Sequence, residues 1–242
     1  MHSGSDMMLV ASDLQVYYGE SQVLKDVSIK VPRGKAVCIM GRNGVGKTML
    51  IKTLIGTLQP RSGTIIYEGK DITHEPPHKR SRVGISYVPQ GRGIFPHMSV
   101  YENLLIGFES VKKPSKQHVQ DTVQDIYTIF PVLKEMRNRV AGTLSGGQQQ
   151  QLAIGRALVS HPRMVLLDEP TEGIQPSIVE EIQRVIVRLR EDRGISVLLI
   201  EQFLDFAMGV ADYCYVMSSG TIVSAGAASE LSDMVVREHL SV

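Results

Sequence analysis

The segment Gly41-Arg42-Asn43-Gly44-Val45-Gly46-Lys47-Thr48 constrains this chain more than any other. It fills the eight-position pattern G-x-x-x-x-G-K-[S/T], and its flanks supply the context that pattern needs. Val37-Cys38-Ile39-Met40, just before it, is short and wholly apolar, as a strand covered on both faces would be. Beyond it, Leu50, Leu54 and Leu58 share one helical face, so a helix is expected from Lys47 to Thr57. Gly44 and Gly46 permit backbone conformations that turn N–H groups inward, and the helix adds the positive end of its dipole. The product is a cup for phosphate groups. Lys47 would place a point charge on β and γ phosphates, and Thr48 would ligate Mg²⁺. A plain glycine-rich turn is the alternative, and the complete pattern in this context argues against it.

Composition narrows the class. The chain has 242 residues, 43% hydrophobic and 21% charged, which suits a globular α/β domain with a modest insertion and excludes disorder. Lys plus Arg number 26 against 25 acids, so the net charge of +1 gives no support for a nucleic-acid partner. Cys38 and Cys214 both lie in apolar runs; they could pair, but buried free thiols in a reducing compartment are expected. No apolar stretch is long enough to span a bilayer. Met1 to Met8 lacks the basic and apolar regions of a signal peptide, and Met7 or Met8 is a candidate natural start.

Strands are expected at Leu9–Val16, Val23–Val31, Val37–Met40, Thr64–Tyr67, Ile85–Val88, Met164–Leu167 and Ser196–Ile200, with a hairpin from Tyr213–Met217 and Thr221–Ser224. Thr73–Ser81, rich in Pro, His and Lys, is expected at the surface. From Gly91 to Ala141 the pattern turns helical, with Val100–Phe108 and His118–Phe130 as helices, and reads as an insertion. Helices follow at Gly147–Ser160, Ser177–Arg193 (ended by Gly194) and Phe203–Val210, and the end from Ala227 is expected to be helical. Strands alternating with such helices imply a largely parallel sheet.

A second site element follows the strand Val165-Leu166-Leu167, which delivers Asp168 and Glu169 at its C-terminal end, where open parallel sheets place ligands. Asp168 would hold Mg²⁺ through water, and Glu169 would orient or deprotonate the attacking water. An acidic surface turn is the alternative for this pair taken alone.

Leu144-Ser145-Gly146-Gly147-Gln148 resembles the signature sequence of ATP-binding cassette (ABC) ATPases and precedes Asp168 by roughly twenty residues, as in that family. The resemblance runs from Leu9 to Gly226. It implies an α/β P-loop NTPase fold: a mostly parallel core sheet, an antiparallel N-terminal β subdomain and a helical insertion. A single domain would span 9–242, with the ATP-binding core at 9–90 and 142–226, a helical subdomain at 91–141 and a helical tail at 227–242. The implied nucleotide contacts are Tyr18, stacked on adenine, and the loop Gly41, Arg42, Asn43, Gly44, Val45, Gly46, Lys47, Thr48 and Met49. Ser145, Gly146, Gly147 and Gln148 would form a second anion cup that closes over ATP held by a partner subunit. Gln90, after Tyr87-Val88-Pro89, matches the Q-loop glutamine near Mg²⁺ and the attacking water. Lys47, Gln90, Glu169 and Gln202 are thus the implied catalytic set, with Thr48, Gln90 and Asp168 on the metal.

Two positions depart from the family pattern. Gln175 stands where the D-loop usually has Asp, and Gln202 where the switch residue is usually His. A glutamine amide can donate a hydrogen bond to the γ-phosphate but cannot take a proton, which leaves Glu169 as the main catalytic carboxylate. Both departures are similar to ATPase subunits of importers for branched-chain amino acids and for urea or short-chain amides. Phe130-Pro131-Val132-Leu133-Lys134-Glu135, the run Gln148 to Leu158 and Glu172 to Ser177 look most like the urea type. That resemblance implies ATP and Mg²⁺ as ligands, and a second ATPase subunit, as homodimer or heterodimer. It also implies two membrane permease subunits that dock near Phe95, Met98 and Tyr101, indirectly a periplasmic binding protein, and a place on the cytoplasmic face of the bacterial inner membrane. Two other readings are a P-loop kinase or G-protein, which would lack the signature cup, and a non-transport ABC ATPase of DNA repair or translation, which would carry coiled coils or a second cassette.

Overall fold

Two 12-residue strands, β1 (Met7–Tyr18) and β2 (Ser21–Pro32), open the described chain, residues 6–230 of a computed structural model. They pair antiparallel, and with β4 (Ser62–Tyr67) and β5 (Lys70–Asp71) they form a four-stranded sheet in the order β2-β1-β4-β5. A second, six-stranded sheet runs β10-β9-β3-β8-β7-β6, built from β3 (Ala36–Met40), β6 (Ile85–Val88), β7 (Met164–Asp168), β8 (Ser196–Glu201), β9 (Tyr213–Ser218) and β10 (Thr221–Ala227). Of its five pairings, four are parallel and the β9–β10 hairpin is antiparallel.

The period of two along β3 divides the interior. Val37 and Ile39 face a core shared with the antiparallel sheet and with α1 (Lys47–Ile55), while Ala36, Cys38 and Met40 face the opposite core. That second core is closed by α3 (Val100–Ile106), α4 (Lys116–Ile129), α5 (Pro131–Glu135), α6 (Gly146–Leu158), α7 (Pro176–Glu191) and α8 (Leu204–Val210). Because both faces are covered, β3, β7 and β8 are buried at every residue, which explains their apolar runs, broken only by Ser196 at the start of β8 and by Asp168 and Glu201 at the strand ends. Cys38 and Cys214, opposite one another in the β3–β9 register, are buried free thiols, as expected.

At nine residues α1 is shorter than the roughly 12–15 at which isolated helices persist in water. Packing holds it: Leu50, Ile51 and Leu54 are fully buried, each worth about 1.5–3 kcal/mol. Gly56 ends it in the left-handed region at φ 84°, and a Cβ there would lie 2.7 Å from the Glu75 carbonyl.

The segment Thr73–Ser81 is not simply surface. It forms α2 (Pro77–Arg82), and Arg80 is 1% exposed. The Arg80 guanidinium donates to the carbonyls of Thr53 (2.8 Å), Leu54 (2.7 Å), Thr73 (2.8 Å) and Glu75 (2.8 Å). The first two lie in the last turn of α1, where carbonyls lack helical partners and a positive charge is favoured. Burial pulls the Arg80 pKa down to about 10, still well above neutrality.

Other boundaries also moved. Between residues 91 and 141 the described elements are helical; the helix expected at His118–Phe130 is α4, starting two residues earlier, and a further short helix, α5, follows at Pro131. The end at Ala227 is the last residue of β10, and Ala228–Glu230 form a 3₁₀ turn; β10 keeps pairing because Gly226 and Ala227 still oppose Cys214 and Tyr213. The rest of the expected tail, 231–242, lies outside the described residues. Among the described residues no helix is long and apolar enough to cross a membrane.

Replacing Arg80 by Met should lower the unfolding free energy by about 2–4 kcal/mol, because four buried carbonyls lose their donor. Urea denaturation would measure this, and a loss under about 1 kcal/mol would show that the carbonyls find other partners.

Candidate nucleotide-binding and catalytic site

The three central strands end together. In the sheet register Met40 lies opposite Glu201, and Ile200 opposite Asp168, so the chain after each strand leaves from the same edge. After β3 the loop turns through Gly44 (φ 79°) and Gly46 (φ 111°), both in the region that favours glycine, before α1 begins at Lys47. A Cβ at Gly41 would sit 2.5 Å from the Met217 carbonyl, so the loop lies tight against β9.

A cleft of about 500 Å³ opens above this edge, lined by Asn43, Gly44, Val45, Gly46, Lys47, Thr48, Met49, Gln90 and Glu169, with Gln22, Val23, Ser219 and Gly220 on its rim. Lys47 is 4% exposed, and its Nζ donates to the carbonyls of Gly41 (2.7 Å) and Arg42 (2.9 Å). Burial depresses its pKa, and the nearby Glu169 carboxylate, 3.6 Å away, is the leading opposing influence. A polyphosphate would give this ammonium a stronger partner than either carbonyl.

Glu169 is the meeting point of the site. It takes φ 48°, unusual for a residue with a side chain, and its N–H donates to Ile200 O at 3.0 Å across the strand ends. Its Oε1 accepts from Gln202 Nε2 at 3.0 Å and its Oε2 from Gln90 Nε2 at 3.1 Å. Gln90 also donates to Glu172 Oε2 at 3.1 Å. Lys47, Gln90 and Gln202, far apart in sequence, therefore all meet at the Glu169 carboxylate.

Asp168 is 2% exposed; burial raises its pKa, and the Tyr87 hydroxyl, which donates to Oδ2 at 3.2 Å, opposes that rise. Its Oδ1 has no hydrogen-bond partner. A buried, half-satisfied carboxylate beside a phosphate cup suits a hydrated Mg²⁺, with Thr48 on the cleft wall as second ligand, so these residues fit the metal.

The structure leaves other expected residues outside this cleft. Tyr18 is 67% exposed and lines a neighbouring hollow of about 450 Å³ with Met49, Lys52, Leu58, Tyr87 and Pro89. Ser145, Gly146, Gly147 and Gln148 open α6 as a capping box: Ser145 Oγ accepts from Gln148 N (3.3 Å), and Gln148 Oε1 from Ser145 N (3.0 Å). They are absent from the lining of the Lys47 cleft. Gln175 precedes Pro176 as the N-cap position of α7 and makes no side-chain cap bond there.

Sequence reading missed several participants. Tyr87 and Glu172 lie in motif runs quoted above but had no role assigned to them; they enter through contacts with Asp168 and Gln90. A groove of about 350 Å³ between α2, β6, the 3₁₀ turn after α3 and α6 is lined by Ile106, Glu109, Arg156 and Tyr87. Phe95, Met98 and Tyr101 do not line it. Phe95 is 44% exposed and carries the Arg156 guanidinium 5.4 Å from its ring centre, while Tyr101 is partly buried under Arg137 at 4.4 Å.

Comparison with known proteins agrees with this geometry. The family model described as ABC transporter matches residues 24–172. The high-affinity branched-chain amino acid transport ATP-binding protein BraG of Pseudomonas aeruginosa is 43% identical over 89% of this chain and 91% of its own length. The lipopolysaccharide export system ATP-binding protein LptB of Acidithiobacillus ferridurans is 35% identical over 93% of this chain and 92% of its own. Among solved structures, the ADP conformation of MJ1267, an ATP-binding cassette of an ABC transporter, superposes with a TM-score of 0.84 at 32% identity, covering 96% of this chain and 98% of that one. The phosphate loop, the acid pair after β7 and the match across most of the chain together place this protein in the ABC transporter family, as an ATP-binding and ATP-hydrolysing subunit.

Proposed function

We propose that this chain drives a solute importer, with branched-chain amino acids as the favoured cargo class. The 43% identity to BraG supports that cargo, and it supports it better than the urea or short-chain amide reading of the sequence motifs. The 35% identity to an export ATPase supports a weaker second reading. A transport assay on the purified natural assembly decides between them. Uptake of leucine, isoleucine or valine with no response to urea is the expected result.

The observation that carries the mechanism is the convergence of Lys47, Gln90 and Gln202 on Glu169, at 3.6, 3.1 and 3.0 Å. Lys47 and the loop N–H groups hold the β and γ phosphates of ATP. Asp168 and Thr48 would hold Mg²⁺, which would supply neutralisation of phosphate charge. Glu169 orients the attacking water and accepts its proton, while the Gln90 and Gln202 amides fix that carboxylate and present N–H groups toward the γ-phosphate. Neither glutamine can carry a proton, so proton transfer falls to Glu169.

Ser145 and Gly147 lie outside the Lys47 cleft. A second ATPase subunit, identical or different, supplies them across a head-to-tail interface, so that two ATP molecules are sandwiched. The groove beside Tyr87 and Arg156 accepts a short segment of a membrane permease, two of which complete the transporter together with a periplasmic binding protein. The subunit then sits at the cytoplasmic face of the inner membrane, and nucleic acid has no part in its action.

Lys47→Ala should weaken ATP affinity by about a hundredfold, since it removes a charge-assisted contact to phosphate. A fluorescent-nucleotide titration measures this, and near-normal affinity would remove Lys47 from the phosphate site. Glu169→Gln should keep ATP affinity, slow turnover by about a hundredfold or more, and accumulate an ATP-bound dimer visible by gel filtration. Turnover at the normal rate would end the assignment of Glu169 as the water-orienting group.

A further inference from the structure

Glu201 is the last residue of β8 and is 1% exposed, yet no cationic side chain lies within ion-pair distance of it among the described residues. A buried carboxylate without a cation is costly, so its presence asks for a reason beyond filling space. Its partners supply one. Oε1 accepts from Thr171 Oγ1 at 2.6 Å and from Thr171 N at 3.2 Å. Oε2 accepts from Gln202 N at 3.0 Å and from Phe203 N at 3.4 Å. The four donors belong to two different loops. One leaves β7 through Glu169, the other leaves β8 through Gln202.

The two strands are adjacent and parallel, with Asp168 opposite Ile200, and the last ladder bond between them is Glu169 N to Ile200 O at 3.0 Å. Beyond that bond the loops diverge, and the Glu201 carboxylate ties them together. Burial raises the Glu201 pKa, and the donors from Thr171, Gln202 and Phe203 pull it back toward the carboxylate form.

We propose that Glu201 is a positioning residue for ATP hydrolysis: its carboxylate fixes the loop at Thr171 against the backbone of Gln202 and Phe203, and so sets the approach of the Gln202 amide to Glu169. The inference rests on the roles proposed for Glu169 and Gln202. Reorientation of such a pair by about 1 Å is enough to cost about a hundredfold in rate without changing substrate binding. Lys47 donates to the Gly41 and Arg42 carbonyls rather than to Glu201, and Glu201 is only the smallest of the electrostatic influences on it, so affinity and rate should separate.

The test uses the full chain with two independent readouts. Glu201→Gln is isosteric but turns an N–H₂ toward one pair of donors. It should speed hydrogen exchange in the stretches 169–175 and 201–205 by about tenfold, and lower kcat by about tenfold with KM for ATP changed less than about twofold. Thr171→Val, which removes one donor at nearly constant volume, should repeat the kcat loss, and Thr171→Ser, which restores the hydroxyl, should recover most of it. Unchanged exchange in both stretches would overturn the tie itself. Faster exchange with undiminished kcat, or equal loss in the Val and Ser variants, would overturn the positioning role. Glu169→Gln run in parallel separates the two ideas: normal turnover there removes the catalytic assignment, while the exchange readout still decides the tie.

Discussion

The alignment of three parallel strand ends governs the chemistry of this protein. With Met40 opposite Glu201 and Ile200 opposite Asp168, the phosphate loop, the acid pair and the switch glutamine leave the sheet at one edge and within reach of one another. A one-residue slip in either pairing would turn Asp168 or Glu201 toward the wrong face, because side chains alternate. The register is held by burial on both sides. Val37, Ile39, Leu166, Leu198 and Ile200 point into one core and Cys38, Met40, Val165, Leu167 and Leu199 into the other, so a slip would exchange two well-packed sets at once.

What this arrangement creates is a cluster of charges and amides that are only partly satisfied by the protein. Lys47 spends its donors on the Gly41 and Arg42 carbonyls, Asp168 keeps one oxygen without a partner, and Glu169 is shared between two amides and an ammonium. Each is paired with a group weaker than phosphate or a divalent cation. In the role proposed for them, these groups are held in place before substrate arrives, so little rearrangement energy would be needed at the reacting centre.

The strands and the phosphate loop were legible because their signals are local. An apolar run between turn residues marks β3, β7 and β8, and the eight-residue pattern at Gly41–Thr48 needs no distant partner to be recognised. Arg80 was not legible, since a charged residue in a segment rich in Pro, His and Lys reads as solvated. Its burial depends on four carbonyls, two of them in a helix more than twenty residues earlier. Tyr87 and Thr171 were missed for the same reason: their roles are set by pairings across strands, at separations of 81 and 30 positions. The family resemblance put Ser145–Gln148 over ATP held by a partner subunit, and those residues are absent from the lining of the chain's own cleft, while Tyr18, expected on adenine, lines a neighbouring hollow. The end of β10 was misjudged because Ala225, Gly226 and Ala227 are weak strand formers held only by their ladder with β9.

The capping box at Ser145 has a consequence in kinetic rather than structural terms. Its residues do not line the Lys47 cleft, and under the head-to-tail pairing proposed above a solitary chain would own two unlike halves of a reaction centre and no whole one. Under that pairing, activity per molecule would become a property of the population. At protein concentrations below the dimer dissociation constant the observed rate rises with the square of concentration, and above it only linearly. In a transporter, permease subunits that hold two such chains side by side would supply a high effective concentration. Assembly would by itself act as the switch that confines ATP consumption to the membrane complex.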